Sequence, residues 1–409
     1  MKKRCIILIF AMLCLSGFGC GAKENGEVTE ISLLHGWGTM EKDHQVMRQI
    51  YQDFEKENPD IRLNMVSMPS SEKAIAKARD MLAVGKVPDM IFTGGEGKDD
   101  LYAFMVDYGY ALNLMPYIQE DQELLASVSP AILKRWGNEK GELYTVSDVL
   151  LVSGYWYNKQ IFDNAGIEKV PSDWDEFFDC CQKIRRWARE NKLSTVPLHL
   201  DSETCLYLTD AGMENGNESK EELINALRRL EKLKALSSVE HQDYAYRDKM
   251  RSFNIGHSAI CVNGVWGQQM LHRNLQVGYA LFPSEDGGGI GMVSACTGYI
   301  VGNSGDEKKH QACIRFLKYM LSEPVQERIL RETGQIPSNP QVDLEKVCGE
   351  RPELYEAYQV VMGAEEFREI PANRWNSEWI AEYDREIEKF LEGDITLENF
   401  LSNINRKGK

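Results

Sequence analysis

The sequence predicts an α/β protein with two lobes. From Glu30 onward, short apolar runs alternate with amphipathic segments of helical period, a pattern typical of strands covered by helices. The chain has 409 residues, of which 43% are hydrophobic, whereas a single hydrophobic core stops growing at about 250–300 residues. We therefore expect two lobes, each with its own core.

The first elements predict a βαβαβ unit. Residues 31–35 are an apolar strand, and the helix after them has an apolar stripe that includes Ile50 and Phe54 and stops before Pro59. A second strand is expected over 62–67, a helix over 70–84 and a third strand over 90–93. Gly85 and Pro88 turn the chain between the last two elements.

The later elements continue this alternation. A long helix is predicted to open near Pro171 and to run to Asn191, with Ser172 as its N-cap and Asp175 placed to complete a capping box. The glycine-rich loop 284–291 is expected to be a mobile connection. The other predictions are strands over 142–146, 154–157 and 259–262, helices over 219–236 and 246–253, and a mainly helical last hundred residues.

The first residues predict export. The cations Lys2, Lys3 and Arg4 precede an apolar run over 5–15, which is much shorter than the roughly 20 residues that span a bilayer. Gly19 is a small residue just before Cys20, and this ending resembles a bacterial lipobox. The resemblance implies a lipoprotein signal peptide over 1–20, lipidation of the Cys20 thiol and an extracytoplasmic position on the outer face of the cytoplasmic membrane. Plain secretion is the alternative.

The charge argues against a nucleic-acid partner. The chain has 47 Lys and Arg against 63 Asp and Glu, a formal net charge of −16, and loss of the signal peptide makes it more negative. Such a field repels phosphates and anionic membrane surfaces, so we expect membrane attachment through the lipid only. Buried free thiols are favoured over a single disulfide for the cysteines after Cys20, which show no repeated CxxC spacing: Cys180, Cys181, Cys205, Cys261, Cys296, Cys313 and Cys348.

Several motifs occur in a fixed order along the chain after the signal peptide. They are Gly85-Lys86-Val87-Pro88-Asp89 (G-x-x-P-D), Gly141-Glu142-Leu143-Tyr144 (G-x-x-Y), Tyr157-Asn158-Lys159 (YNK), a P-x-T-W-D-E-F-like segment over 171–177, an F-x-x-G-x-x-A-M-x-x-x-G-x-W-like segment over 253–266, and Gly334-Gln335-Ile336-Pro337. Together they resemble the carbohydrate-binding extracellular solute-binding proteins of bacterial ABC importers, the family related to maltose-binding protein.

The resemblance implies a periplasmic-binding-protein-like fold, in which three hinge crossings join two α/β lobes around a ligand cleft. The crossings would lie near 147–153, 292–297 and 333–338. The first lobe would comprise 21–147 and 294–335, and the second 148–293 and 336–409. The implied function is that of a lipid-anchored, monomeric receptor that captures a mono- or oligosaccharide and delivers it to a membrane permease, with no cofactor and no metal.

A sugar site needs flat aromatic surfaces for the C–H faces of the ring and carboxylates or amides for the hydroxyls. The family pattern places a stacking aromatic at Trp266, for which a core position is the alternative. His35, Trp37 and Thr39 follow the first strand, at the carboxyl end where open α/β sheets bind ligands. We expect these residues to contact the solute.

Four further residues are candidates for the same cleft. Glu96 follows the third strand and matches an acidic contact of the family, with a solvated loop carboxylate as the alternative. Asp148 lies at the first crossing, where it either bonds hydroxyls or caps the backbone. Asp201 begins a polar Asp-Ser-Glu run in which nothing selects one residue. Trp375 and Trp379 lie one helical turn apart, and Trp375 is favoured to reach the cleft.

Paired carboxylates and tryptophans also occur in glycosidases. The sequence has no HExxH, GxSxG or GxxxxGK[ST] motif, and a lone Glu96 or Asp148 cannot supply both acid and nucleophile, so we do not expect an enzyme. Two other classes remain open. One is a receptor for a solute that is not a sugar, and the other is a surface carbohydrate-binding adhesin without a transport role.

Overall fold

The computed structural model describes residues 28–93, 100–216, 219–240, 246–296, 298–349, 352–364 and 366–404. Its strands are Thr29–His35 (β1), Ile61–Ser67 (β2), Met90–Phe92 (β3), Val149–Asn158 (β4), His199–Leu200 (β5), Ser238–Val239 (β6), Ile260–Gly264 (β7), Val277–Ala280 (β8), Ile290–Ala295 (β9), Tyr299–Val301 (β10), Ile336–Pro337 (β11) and Glu366–Arg368 (β12).

Helices cover these strands. They are Lys42–Glu57 (α1), Ser71–Ala83 (α2), Asp100–Asp107 (α3), Met115–Glu120 (α4), Gln122–Ser127 (α5), Pro130–Trp136 (α6), Lys159–Asn164 (α7), Trp174–Glu190 (α8), Ser202–Ala211 (α9), Lys220–Lys234 (α10), Tyr246–Asn254 (α11), Glu307–Leu321 (α12), Glu323–Thr333 (α13), Leu344–Cys348 (α14), Pro352–Met362 (α15), Pro371–Arg374 (α16), Ser377–Glu392 (α17) and Leu397–Ile404 (α18). Short 3-10 helices lie at Glu214–Gly216 and Val265–Met270.

The predicted βαβαβ unit is confirmed and forms most of the first sheet. Its strand order is β10-β3-β1-β2, with β1 parallel to both β2 and β3 and with β10 antiparallel to β3. The residues of the α1 stripe are buried, and Ile50 and Phe54 are fully so. Because the three parallel strands run in the same direction, their carboxyl ends meet at one edge of the sheet.

The second sheet is built around β4. The first half of this ten-residue strand pairs antiparallel with β9 and β11, and its second half pairs antiparallel with β7 and β8. A Cβ atom at Gly154 would lie 2.3 Å from the carbonyl oxygen of Ala280, so only glycine lets β8 approach this closely. Strand β12 extends the sheet by pairing parallel with β9.

The hydrophobic cores follow the two-lobed, mixed α/β architecture. One core consists of residues between 31 and 149 together with residues between 295 and 329. Two further cores consist of residues between 152 and 292 together with residues between 330 and 404. The chain therefore passes between the two sets of cores at β4, at β9 and near the end of α13, and β4, β9 and β11 pair side by side at that place.

Two local predictions need correction. Residues 142–146 are not a strand, because Leu143 N–H donates to Asn113 Oδ1 and only Val146 forms a bridge, to Tyr299. The capping box of α8 is shifted by one residue: Asp173 is the N-cap and accepts from the Glu176 N–H at 2.7 Å. The Glu176 carboxylate then accepts from the Ser172 N–H and hydroxyl, both at 3.0 Å.

Two connections have a clear local basis in the structure. Asn158 ends β4 and caps α7 by accepting from the Ile161 N–H at 3.1 Å, which gives the Asn of the YNK motif a structural role. The loop 284–291 is closed by its own hydrogen bonds, since Ser284 Oγ accepts from Gly287 N–H at 3.1 Å and from Gly289 N–H at 3.0 Å.

The seven cysteines after Cys20 are all buried free thiols, as expected. They lie in the cores rather than at one site, and burial raises the pKa of thiols such as Cys180 and Cys296 to about 12. Within the described residues, no helix is both long enough and apolar enough to cross a bilayer. The predicted signal peptide and Cys20 lie outside the described residues.

Candidate functional site

A cavity of about 1490 Å³ is lined by residues from elements of both sets of cores. Trp37 and Phe92 lie in its wall at the carboxyl ends of β1 and β3. Other lining residues come from α9, α11 and the segment after β7, and from β4 and β11. The cavity exceeds the roughly 300–1,000 Å³ of a site for one drug-sized ligand. Its aromatic lining residues are Trp37, Phe92, Tyr246 and Trp266.

Trp37 is held rigidly in the loop after β1. Its indole stacks on Phe92 with ring centroids 5.2 Å apart, meets His44 edge-on at 5.0 Å, and donates from Nε1 to the Tyr51 hydroxyl at 3.1 Å. The Arg48 guanidinium donates to the carbonyl oxygen of Trp37. The ring is partly buried, so one part of it faces the cavity while the rest is fixed by packing.

His35 and Thr39 lie on either side of Trp37 and bond to protein groups. The His35 ring is fully buried, accepts from the Trp37 N–H at Nδ1 (3.1 Å) and bonds Ser67 Oγ at Nε2 (3.1 Å). Burial, with smaller contributions from Arg48 and His44, lowers the pKa of His35 to about 4, so the ring is neutral at pH 7. Thr39 Oγ1 bonds His44 Nδ1 at 2.8 Å. Neither residue is part of the cavity lining.

Trp266 lies directly after β7, in the 3-10 helix Val265–Met270. Its ring covers the backbone of Gly264, where a Cβ atom would lie 2.0 Å from the ring. The glycine therefore creates the space that the indole occupies. Trp266 is partly buried and lines the cavity, and its stacking on a ligand remains a prediction.

A buried lysine brings together two carboxylates next to the cavity. Lys249 Nζ lies 2.7 Å from Glu203 Oε2 and 3.1 Å from Asp201 Oδ2. Asp201 is buried and caps α9, because its Oδ1 accepts from the Thr204 N–H at 2.8 Å. Glu203 lines the cavity, whereas Asp201 does not. Of the polar Asp-Ser-Glu run, Glu203 is therefore the member with access to a ligand in this conformation.

Asp148 is connected to Trp37 by a row of buried hydrogen bonds. Tyr51 OH accepts from the Trp37 indole and bonds Tyr299 OH at 2.9 Å, and Tyr299 OH donates to Asp148 Oδ2 at 3.0 Å. The other carboxylate oxygen, Oδ1, has no hydrogen-bond partner among the described residues. Burial raises the pKa of Asp148 to about 6, and the bond from Tyr299 opposes this only in part.

The family comparison agrees with this geometry. The sequence profile of bacterial extracellular solute-binding proteins matches residues 49–356, about three quarters of the chain. The chain belongs to this family. The resemblance found in the sequence motifs is thus confirmed, and the family consists of solute-binding receptors that act outside the cytoplasm.

Known sugar binders are similar to this solute-binding protein. The "Multiple sugar-binding protein" of Streptococcus mutans serotype c is 31% identical over 139 residues, which are 34% of this chain and 30% of that relative. The match spans less than a third of the relative's length. A Streptococcus pneumoniae solute-binding protein in complex with the blood group A-trisaccharide has a TM-score of 0.76 at 23% identity, covering 92% of this chain and 98% of that one.

A second solved structure, a chitin oligosaccharide binding protein, has a TM-score of 0.74 at 20% identity and covers 91% of this chain and 97% of its own. At such identities the two structures show the fold of this solute-binding protein, which is the predicted two-lobed α/β architecture.

The remaining sequence candidates lie away from the cavity or outside the described residues. Trp375 meets Trp379 edge-on with ring centroids 4.3 Å apart and packs against the core of the second lobe. It is not part of the cavity lining. Glu96 lies outside the described residues. Contacts of either residue with a ligand remain predictions.

Sequence reasoning missed several cavity residues of the solute-binding protein. Tyr246 and Arg247 begin α11, a segment predicted only as a helix, and Phe92 was predicted only as part of a strand. Arg247 forms an ion pair with Glu41, which precedes α1, so the pair spans the two lobes. A signal for Phe92 existed, since it ends β3, which pairs parallel with β1, the strand that leads into the Trp37 loop.

Glu41 also belongs to the one group of possible metal ligands found within the described residues. It lies with Asp43 and His44, and their donor atoms are within 4.8 Å of one another. Two of the three members already have protein partners, because Glu41 pairs with Arg247 and His44 bonds Thr39. We therefore assign no metal to this group.

Proposed function

We propose that this solute-binding protein is the sugar receptor of an ABC importer. It captures a mono- or oligosaccharide in the cavity between the lobes and delivers it to a membrane permease. The observation that carries the proposal is the presence of Trp37 from the first lobe and Trp266 from the second in the lining of one cavity. Family membership and the similarity to sugar binders support it.

The chemistry of the lining fits a sugar. Indole rings present flat apolar faces to the C–H groups of a pyranose, and each buries a large contact area. Glu203 offers a carboxylate oxygen, and Gln269 and Gln276 offer amides that donate and accept in pairs with hydroxyls. The aromatics would therefore contribute most of the affinity, and the polar groups would select among hydroxyl arrangements.

Closure of the lobes would enclose the sugar. We propose that the paired segments of β4, β9 and β11 form the hinge, because the cores of the two lobes separate at this place. The lobe boundaries are then 21–147 with 294–335 and 148–293 with 336–409. The ion pairs Glu41 with Arg247 and Arg135 with Glu369 span these lobes and support a closed form.

The attachment is proposed from the sequence. A diacylglycerol on Cys20 would hold the receptor on the outer face of the cytoplasmic membrane, and the polar residues after it would act as a tether. The strong negative charge supports lipid rather than a basic patch as the membrane contact.

A thermal-shift screen of residues 21–409 against mono-, di- and oligosaccharides tests the proposal. A solute that binds only the folded state raises the melting temperature, by an amount that grows with the ratio of solute concentration to Kd. We expect one group of sugars to stabilise the protein, with no product formed on incubation. Product formation would favour a glycosidase, and the absence of any shift across the panel would contradict the sugar proposal.

One observation favours a second candidate. The cavity lining also has many charged side chains, among them Glu41, Lys42, Arg247 and Arg331. A charged solute, such as a peptide or a charged sugar, would pair with them. The same screen therefore includes amino acids, short peptides and uronic acids. Stabilisation by peptides but not by sugars would replace the first proposal with this one.

A further inference from the structure

Lys249 is a buried cation that does not itself line the cavity. Its residue exposure is only 5%, and its ammonium lies between Glu203 Oε2 at 2.7 Å and Asp201 Oδ2 at 3.1 Å. Burial on its own would lower the pKa of this amine, but the carboxylates of Glu203 and Asp201 outweigh burial and raise the pKa above its usual range. The ammonium is therefore charged at any physiological pH.

The two carboxylates differ in what else they contact. Asp201 is itself fixed, because its second oxygen caps α9 through the Thr204 N–H. The Glu203 side chain is 44% exposed and reaches the cavity. Lys249 contacts its Oε2, and the second oxygen, Oε1, has no partner among the residues that the structure describes, so Oε1 can accept a hydrogen bond from a ligand. Asp201 thus anchors Lys249, and Lys249 anchors Glu203.

Stability alone is a weak reason for such an arrangement. Taking an ammonium out of water carries a large desolvation cost, and apolar replacements of buried ion pairs are often neutral or stabilising. The contact with Glu203 instead restricts a side chain that would otherwise sample several rotamers at the cavity wall. Ordering such a side chain at the moment of binding costs conformational entropy and therefore weakens affinity.

We propose that Lys249 is a positioning residue that fixes the Glu203 carboxylate for hydroxyl recognition. It holds Oε2 and leaves Oε1 as an acceptor in the cavity. This inference rests on the proposed sugar-binding function. It assigns a role in solute selection to a residue that touches no solute, and it places Asp201 as the support of Lys249.

A double-mutant cycle tests this assignment. The variants are Lys249→Met, Glu203→Gln and the two together, and titration calorimetry with the sugar identified by the screen gives each Kd. We expect each single variant to raise Kd about tenfold. The double variant should have a Kd at most about threefold above that of Glu203→Gln, because both changes remove the same interaction. Lys249→Arg, which keeps a cation, should recover most of the lost affinity.

Controls separate a positioning role from a structural one. Lys183→Met removes an exposed lysine paired with Asp179 on α8, outside the cavity lining, and should leave Kd unchanged. If Lys249→Met unfolds, Asp201→Asn combined with Lys249→Met avoids an unpaired buried carboxylate, and it should bind about tenfold more weakly than wild type. If the losses of affinity in Lys249→Met and Glu203→Gln multiply in the variant that carries both changes, the two residues act independently and the proposal is overturned.

The outcomes also separate this inference from the proposed function. Wild-type protein that binds a sugar, together with Lys249 variants that bind it equally well, would refute only the positioning role. Wild-type protein that binds no sugar would refute the proposed function itself, and the inference with it.

Discussion

At the residue scale, Asp148 is an unusual carboxyl. It is buried at the start of the passage between the lobes, accepts a hydrogen bond from the Tyr299 hydroxyl, and leaves Oδ1 without a partner among the described residues. The described elements around it contribute the hydroxyls of Tyr51 and Tyr299 and the thiol of Cys296, but no cation. The hydrogen bond from Tyr299 therefore offsets only part of the cost of burying its charge.

This environment predicts a pH-dependent stability. The pKa of Asp148 is about 6 in the folded protein and about 3.9 in an unfolded chain. Between these values the folded state binds more protons, so ionisation of Asp148 lowers the free energy of unfolding as pH rises, by up to about 3 kcal/mol above pH 6. Asp148→Asn removes this loss.

Urea unfolding of wild type and Asp148→Asn between pH 4 and pH 8 measures this pH-dependent loss of stability. The free energy of unfolding of the variant relative to wild type should rise through pH 4–6 and level off above. Because the amide that replaces the carboxyl keeps an oxygen for Tyr299, the slope with pH is the informative quantity rather than the constant offset. A difference that does not change with pH would show that Asp148 is ionised throughout.

At the element scale, the segment from β7 into the following 3-10 helix places Trp266. Gly264→Ala would put a methyl group 2.0 Å from the present ring position, so the indole must move. We expect a loss of about 1–3 kcal/mol in the free energy of unfolding and a weaker affinity for the solute. Gly349→Ala, where the nearest atom is 3.5 Å away, is the matched control. If the tryptophan emission shifts while the affinity stays unchanged, Trp266 does not contribute to solute binding.

Elements could be predicted from the sequence where local signals agree. The first three strands and α1 were found because apolar periodicity and the breaks at Pro59 and Gly85 coincide. Residues 142–146 alternate like a strand, yet only Val146 pairs with a strand, and the Leu143 N–H bonds a side chain of a neighbouring loop, which no local pattern reveals. The N-cap of α8 was predicted one residue too early, because Ser172 and Asp173 are both good caps. The Glu176 side chain decides between them.

The site was predictable only in part, for a related reason. Trp37 and Trp266 could be proposed because each follows a strand at a place where glycine lies nearby. The group of Asp201, Glu203 and Lys249 could not be predicted, because Lys249 lies more than 40 positions from the two carboxylates in the sequence. His35 illustrates the limit, because its position after a strand does not reveal that both ring nitrogens bond to the protein.

At the scale of the whole molecule, the ion pair between Glu41 and Arg247 connects the lobes at the cavity. The two side chains are 45% and 73% exposed, so the pair is screened by salt and contributes little on its own. Arg247→Gln should weaken solute binding by about two- to fivefold at low salt. The matched control is Arg251→Gln, an exposed cation on the same helix.

Titrations at about 0.02 M and 1 M salt distinguish the origin of that effect. The loss should shrink at high salt if Arg247 acts through its charge on the closed form. A loss of the same size at both salt concentrations would instead indicate a direct, enclosed contact between Arg247 and the solute.

The central claim is that one sugar contacts both lobes through their tryptophans. Titration calorimetry of the stabilising sugar into wild type, Trp37→Ala and Trp266→Ala tests it, with Tyr108→Ala, an exposed aromatic outside the cavity lining, as control. Each tryptophan variant should lose about 2 kcal/mol of binding free energy, roughly thirtyfold in Kd, while remaining folded by circular dichroism. If one tryptophan variant loses affinity and the other binds as tightly as wild type, the sugar is not held between the tryptophans of the two lobes and the claim is contradicted.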